Sequence, residues 1–177
     1  MQLETNNLSD DFQVEPTFSM SLKAQELAEA CITRRSLLVA LSENQCFSDA
    51  IMLLSYAMPH HQGLQWALKC ARNSNANSSH SLDAAEKWLN ESNEENRAKI
   101  LPSDTIAKPT SATWLAMATY WSGGSITETP IIEPAPNGLV NDSIYSSVML
   151  SIQETNETEQ LNAYSEAVNQ GIKMLYA

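Results

Sequence analysis

Apolar residues recur at helical spacing along most of the chain. In residues 46–57, Phe47, Ile51 and Leu54 follow at intervals of four and three, which places them on one side of a helix. Similar spacing predicts further helices over residues 19–31, 34–43, 60–73, about 82–89, 93–101, 111–121, 138–154 and 157–175. We find no clear strand pattern and no repeat of fixed period. The chain is therefore predicted to be all-α, a single compact bundle of about eight short helices.

Local signals predict where several of these helices begin and end. Pro59 is expected to end the helix over 46–57 and to occupy an early position of the next one. Ser92 and Glu95 have the spacing of a capping box. The Ser-Gly-Gly-Ser stretch at 122–125 is expected to end the helix before it.

Apolar stripes predict which sides of the terminal helices face the core. The stripe of the first helix consists of Leu22, Leu27 and Ala30. The stripe of the last helix consists of Leu161, Tyr164, Val168, Ile172 and Leu175.

The chain divides into a short acidic segment and a helical domain. Residues 1–17 are polar and acidic and lack helical periodicity, so they are predicted to be a flexible tail. Residues 18–177 are predicted to form one domain. A length of 177 residues and a hydrophobic content of 43% are ordinary for a globular protein of that kind.

Acidic residues outnumber basic ones, 21 to 10, which gives a formal net charge of −11. The excess lies at the two ends, because residues 23–108 are nearly neutral while 1–22 contain no base and 109–177 only Lys173. Nucleic acids and anionic membranes require clustered Lys and Arg, so neither is expected as the main partner. The acidity either keeps the protein in solution or meets a basic protein partner.

Signal patterns, apolar runs and cysteines indicate where in the cell the protein is located. The first residues show no basic and apolar signal pattern, and no apolar run approaches the roughly 20 residues that span a bilayer. Cys31, Cys46 and Cys70 are odd in number and form no CxxC motif, as is typical of reduced thiols. These features predict a cytoplasmic protein.

His60, His61 and Cys70 are the one group with a suggestion of metal or nucleophile chemistry. His61 and Cys70 are separated by about 13 Å along a helix, so they do not share one ion without further ligands. No metal and no cofactor is therefore expected. An enzyme that uses Cys70 with His61 is kept as an alternative, although no local signature surrounds either residue.

Aromatic side chains are concentrated in the middle of the chain. They pack in the core or form a binding patch, because Trp, Tyr and Arg are enriched at interface hot spots. Trp66 lies off the stripe of Leu64 and Leu68, so we expect it to be exposed. The predicted protein-binding residues are Trp66, Arg72, Trp114, Trp121, His60 and His61.

Three stretches together resemble a known family. They are DAIMLLSYAMPHHQGLQWALKCAR (49–72), LDAAEKWLNESNEENRAKI (82–100) and ATWLAMATYWSGGSITETPIIEP (112–134). In order and spacing they resemble an uncharacterised family of small helical bacterial proteins found near type VI secretion genes. Its members typically show an Ala-Leu-Pro turn, where this chain has Met58 before Pro59. The resemblance implies an accessory, adaptor or chaperone role and transfers no catalytic residue.

The predicted function is therefore a non-enzymatic, cytoplasmic adaptor or chaperone-like protein. Its partner is expected to be another protein, such as a component or cargo of a type VI secretion system. One alternative is an immunity protein that neutralises a secreted toxin, which would also be small and acidic. The other is the enzyme with Cys70 and His61. The sequence leaves the oligomeric state open.

Overall fold

The computed structural model of the protein describes residues 19–74, 80–100, 109–123 and 135–177. The described residues form nine helices and no β-strand, which confirms the all-α prediction. The helices are α1 (Leu22–Ala30), α2 (Arg34–Glu43), α3 (Phe47–Ala57), α4 (His60–Asn73), α5 (His80–Asn90), α6 (Glu94–Ala98), α7 (Ser111–Ser122), α8 (Leu139–Gln153) and α9 (Gln160–Leu175). The tail predicted over residues 1–17 lies outside the described residues. In the described part, no helix has the length and apolar character that a membrane span needs.

Two of the three predicted boundary signals agree with the structure, and α2 shows a further signal that was not predicted. Pro59 is the N-cap residue of α4 and follows directly on Met58, the C-cap residue of α3, as predicted. Helix α2 begins with a capping box, in which the Thr33 side chain accepts from Ser36 N and the Ser36 side chain accepts from Thr33 N. Helix α7 ends at Ser122, in agreement with the predicted stop.

The start of α6 differs from the prediction. Asn93, not Ser92, is its N-cap residue, and Asn93 Oδ1 accepts a hydrogen bond of 2.8 Å from Asn96 N. Ser92 Oγ donates instead to the carbonyl oxygen of Trp88 at 3.1 Å. Ser92 therefore completes the end of α5, and the predicted pair of Ser92 with Glu95 is wrong.

The outer residues of two predicted stripes lie in solvent. Leu22 is 79% exposed and Leu161 is 57% exposed, so the first residue of each stripe does not face the core. Ser21 N and Ser21 Oγ each donate to the Asp49 carboxylate of α3 at 2.8 Å, so the start of α1 is anchored to α3. Ala24 is the buried residue of α1.

Helix α4 lies in the middle of the bundle, against α5, α7, α8 and α9. It runs in the same direction as α8, because His60 lies 3.4 Å from Asn141 at their starts and Ser74 contacts Glu154 at their ends. Helix α7 runs in the opposite direction, since its first residue, Ser111, also contacts Glu154. The two ends of α4 therefore lie beside the two ends of α8.

Small side chains bring α7 and α8 together. Ser143, Ser147 and Ser151 recur at every fourth position of α8 and are buried. Ser147 Oγ donates to the carbonyl oxygen of Ser111 at 2.8 Å. At the end of α8, the Glu154 carboxylate accepts from Ser111 N at 2.9 Å, Ser111 Oγ at 2.5 Å and Ser74 Oγ at 3.3 Å. This one carboxylate therefore links the ends of α4, α7 and α8.

Candidate protein-binding cleft

A cleft opens where α4 and α8 begin and α7 ends. Two adjacent cavities of about 360 Å³ and 460 Å³ form it. Trp121 and Ser122 of α7 line the first cavity, and Tyr56, Met58 and Pro59 line the second. Both cavities are lined by His60, Asn137, Gly138 and Asn141. The turn between α3 and α4, the end of α7 and the start of α8 thus surround one space. This space is large enough to receive side chains of a partner.

Hydrogen bonds hold the walls of the cleft in place. Asn141 Nδ2 donates to the carbonyl oxygen of Ser55 at 2.8 Å, and Asn141 Oδ1 lies 3.4 Å from His60 Nε2. Tyr56 Oη donates to Asp142 Oδ1 at 2.6 Å. The start of α8 is therefore fastened to the turn between α3 and α4.

Gly138 allows this close approach. Its φ of 85° lies in the left-handed region, which glycine adopts without strain. A Cβ atom at this position would lie 2.9 Å from Tyr56 Oη. A side chain here would both strain the backbone and displace Tyr56, so glycine determines the shape of the cleft.

The structure brings together two of the predicted binding residues, His60 and Trp121. His60 is exposed and Trp121 is half-buried, and both line the same cavity. Trp114 lies two helical turns earlier on α7 and is also half-buried, but it does not line the cleft. His61 is turned toward α5, where its Nε2 lies 3.1 Å from the carbonyl oxygen of Leu89. The predicted patch is thus divided among several surfaces.

Trp66 is completely buried, so the prediction of an exposed Trp66 is wrong. Its Nε1 donates to the carbonyl oxygen of Ala167 in α9 at 3.0 Å. Helix α4 is covered on several sides, and a position off the stripe of Leu64 and Leu68 therefore still meets another helix. Trp66 is not available to a partner in this fold.

Arg72 forms ion pairs within the protein. Its Nη2 lies 2.6 Å from both Asp83 Oδ1 and Glu86 Oε2 on α5. The hydrogen bonds that Arg72 donates to Asp83 and, next in size of effect, to Glu86 raise the pKa of its guanidinium above the usual value. The predicted partner contact of Arg72 thus competes with a link between α4 and α5.

His61 and Cys70 face different neighbours. While His61 contacts α5, Cys70 lines a separate cavity beside α8 and α9. Burial, followed by the charge of Glu166, raises the pKa of the Cys70 thiol to about 12. A thiol of this kind is almost entirely protonated near neutral pH and is a poor nucleophile. In the described part of the chain, no group of three or more His, Cys, Asp or Glu side chains is placed to hold a metal ion.

The sequence was compared with known protein families, curated proteins and solved structures, and one family matches. Residues 37–175 match the family of unknown function DUF6931. The chain belongs to DUF6931. No curated protein and no solved structure matches it. The matched range includes every residue of the cleft, whereas α1 lies outside it. The DUF6931 description names no activity, so the type VI secretion setting stays a prediction.

Sequence reasoning missed Tyr56, Gly138 and Asn141 as parts of the cleft. The Asn137-Gly138 pair at the start of the helix predicted over 138–154 was an available signal, because Asn-Gly marks a turn with a positive φ. Nothing in the local pattern joins Tyr56 to Asp142 or His60 to Asn141. Those contacts come from packing between distant helices.

Proposed function

We propose that this protein is a non-enzymatic cytoplasmic accessory protein that binds another protein through the cleft around His60 and Trp121. The observation that carries the proposal is the placement of a half-buried Trp121 beside an exposed His60 in a recess with fixed walls. Tryptophan is among the residues that contribute most to binding when a partner covers it. A recess held by hydrogen bonds also loses little freedom on binding.

A second observation supports the same cleft. Two of the stretches that carry the family resemblance meet there, one with Pro59 and His60 and the other with Trp121 and Ser122. A turn and a helix end that lie far apart in the sequence thus line one recess. This arrangement supports a role in recognition, for a partner such as a component or cargo of a type VI secretion system.

The acidic charge of the chain supports a partner with a basic surface. The net charge of −11 attracts such a partner over a distance, and salt screens that attraction. We therefore expect charge to speed the encounter and the cleft to hold the complex. Raising the salt concentration should slow association more than it speeds dissociation.

The proposal is tested by affinity capture with the full chain as bait. The variants are Trp121→Ala and His60→Glu, and the matched control is His80→Ala, which removes an exposed histidine at the start of α5. We expect one partner to be captured by the parent protein and the control but to be lost from both cleft variants. Equal capture by all four proteins would contradict the proposal.

Deletion of the gene separates the accessory role from the immunity role. For an accessory protein of a secretion system, deletion should reduce secretion without harming the cell. Killing of the deletion strain by its siblings would contradict the accessory role and would favour an immunity protein. Both results are read from one competition assay that also measures secreted protein.

A further inference from the structure

Arg97 of α6 is the one charged side chain that is buried among the residues that the structure describes. A buried charge is costly unless an opposite charge and hydrogen bonds compensate it. Arg97 Nε and Nη2 donate to the two carboxylate oxygens of Glu94 at 2.7 Å and 2.6 Å, and Glu94 itself lies in solvent. The proposed function does not yet use this arginine.

Arg97 also contacts the last turn of α7. Its guanidinium carbon lies 4.4 Å from the centroid of the Tyr120 ring, which is a cation–π arrangement. Its Nη1 donates to the carbonyl oxygen of Tyr120 at 3.5 Å. A positive charge is favourable at the end of a helix, where the last carbonyl groups carry partial negative charge. Arg97 is thus joined to α7 directly before Trp121, the tryptophan of the cleft.

Gly123, which follows α7, makes room for this arginine. Its φ is −87°, outside the left-handed region, so the backbone there does not require glycine. A Cβ atom at Gly123 would, however, lie 2.6 Å from Arg97 Cδ and 3.3 Å from Trp88 Cζ2. Glycine at position 123 is therefore explained by the space that the Arg97 side chain occupies.

We propose that Arg97 is a positioning residue of the cleft, which holds Trp121 in place without lining the cavity itself. It fixes the residues on either side, Tyr120 and Gly123. Trp121 and Ser122, which lie between these two residues, line the cavity. The inference rests on the proposed function, because the binding role of Trp121 is what makes its position matter. The contacts of Arg97 can nevertheless be tested without a partner.

The first test follows the indole N–H signals of the ¹⁵N-labelled full chain by NMR. The chain has four tryptophans, and Trp121→Phe assigns the signal of Trp121 by its loss. Arg97→Lys keeps the positive charge but lacks the planar guanidinium that pairs with Glu94 and stacks on Tyr120. We expect the Trp121 signal to shift by more than its line width, while the signal of Trp66 in the core stays in place. An unmoved Trp121 signal in the folded variant would overturn the proposal.

A second variant and a matched control accompany Arg97→Lys. Because the Glu94 side chain is 71% exposed, Glu94→Gln removes its pairing with Arg97 and leaves the fold intact. It should shift the Trp121 signal in the same direction by a smaller amount. Arg72→Lys is the matched control, since Arg72 also pairs with two carboxylates but lies about 18 Å along α4 from His60. Equal shifts from the Arg97 and Arg72 variants would show a general effect of lost ion pairs and would overturn the proposal.

Gly123→Ala tests the reason for the glycine. Alanine adopts a negative φ without strain and reduces the freedom of the unfolded chain, so it would raise the unfolding midpoint if the space beside it were free. With Arg97 in that space, we expect a lower midpoint and a shifted Trp121 signal. A raised midpoint with the Trp121 signal in place would overturn the role assigned to Gly123.

Affinity capture with the same baits separates this inference from the proposed function. We expect Arg97→Lys to capture several-fold less partner than the parent protein and Arg72→Lys to capture as much as the parent. Undiminished capture by Arg97→Lys, where Trp121→Ala loses the partner, would overturn the role of Arg97. A shifted Trp121 signal with undiminished capture by Trp121→Ala would contradict the proposed function and would support the contact between Arg97 and the end of α7.

Discussion

The indole N–H of Trp66 donates a hydrogen bond of 3.0 Å to the carbonyl oxygen of Ala167 and so joins the central helix α4 to α9. The approach of the two helices depends on Gly171. A Cβ atom there would lie 2.6 Å from Leu54 Cδ1 and 3.1 Å from Trp66 Cε2. A glycine in one helix thus makes room for a tryptophan in another.

Trp66→Phe should lower the free energy of unfolding by about 2 kcal/mol. The substitution removes the hydrogen bond to Ala167 and leaves part of a fully buried site unfilled. Urea unfolding followed by circular dichroism measures the change. Trp121→Phe is the matched control, because Trp121 is only half-buried, and its effect should stay below about 1 kcal/mol. Equal losses for the two variants would contradict the central position of Trp66.

Glu154→Gln should destabilise the protein by about 1–2 kcal/mol, because the amide group keeps only one of the two oxygens that accept from Ser111 and Ser74. Thermal unfolding at neutral pH measures the loss. Glu157→Gln, in the turn after α8, removes an exposed carboxylate and should leave the midpoint unchanged. A midpoint that is also unchanged for Glu154→Gln would show that this carboxylate does not hold the helix ends together.

The thiol of Cys70 should react with iodoacetamide more slowly than those of Cys31 and Cys46 at pH 8. Its pKa is raised to about 12 by burial and by Glu166, and the side chain is 8% exposed, whereas Cys31 and Cys46 are half-buried. Mass spectrometry of peptides from the labelled protein measures the three rates. Labelling in concentrated urea is the control, because unfolding should make the rates similar. Fastest labelling at Cys70 in the folded protein would contradict its burial.

The same pKa shift gives a sign for the dependence of stability on pH. The thiol has a pKa of 9.0 when unperturbed and about 12 in the folded protein, so between these values the folded state holds the proton more tightly. The folded state is therefore not penalised by this thiol below pH 9, and the free energy of unfolding falls as the pH rises from 9 toward 12. Unfolding measured at pH 8 and pH 10 should therefore show a smaller decrease in stability for Cys70→Ala than for the parent protein.

Helix positions could be predicted from the sequence because they depend on local pattern. The predicted bounds 34–43 and 60–73 agree with α2 and α4, and Pro59 is the signal that marks the start of α4. Burial was predicted less well where several helices surround one. Trp66 lies off the apolar stripe of its helix and is nevertheless covered by α9, which a single helical projection does not reveal.

The cleft could be predicted only in part. His60 and Trp121 were singled out by residue type, but nothing in the sequence showed that they line the same cavity. Their proximity depends on α4 and α8 running in the same direction and α7 running against them. Such directions result from packing among distant segments, which local periodicity does not encode.

The central claim is that a partner protein binds in the cleft that Trp121 and His60 line. It is tested most directly by calorimetric measurement of the Kd between the captured partner and the purified full chain. We predict that Trp121→Ala raises the Kd at least about tenfold and that His60→Glu raises it to a similar degree, while His80→Ala leaves it unchanged. An unchanged Kd for both cleft variants, in protein that remains folded, would contradict the claim.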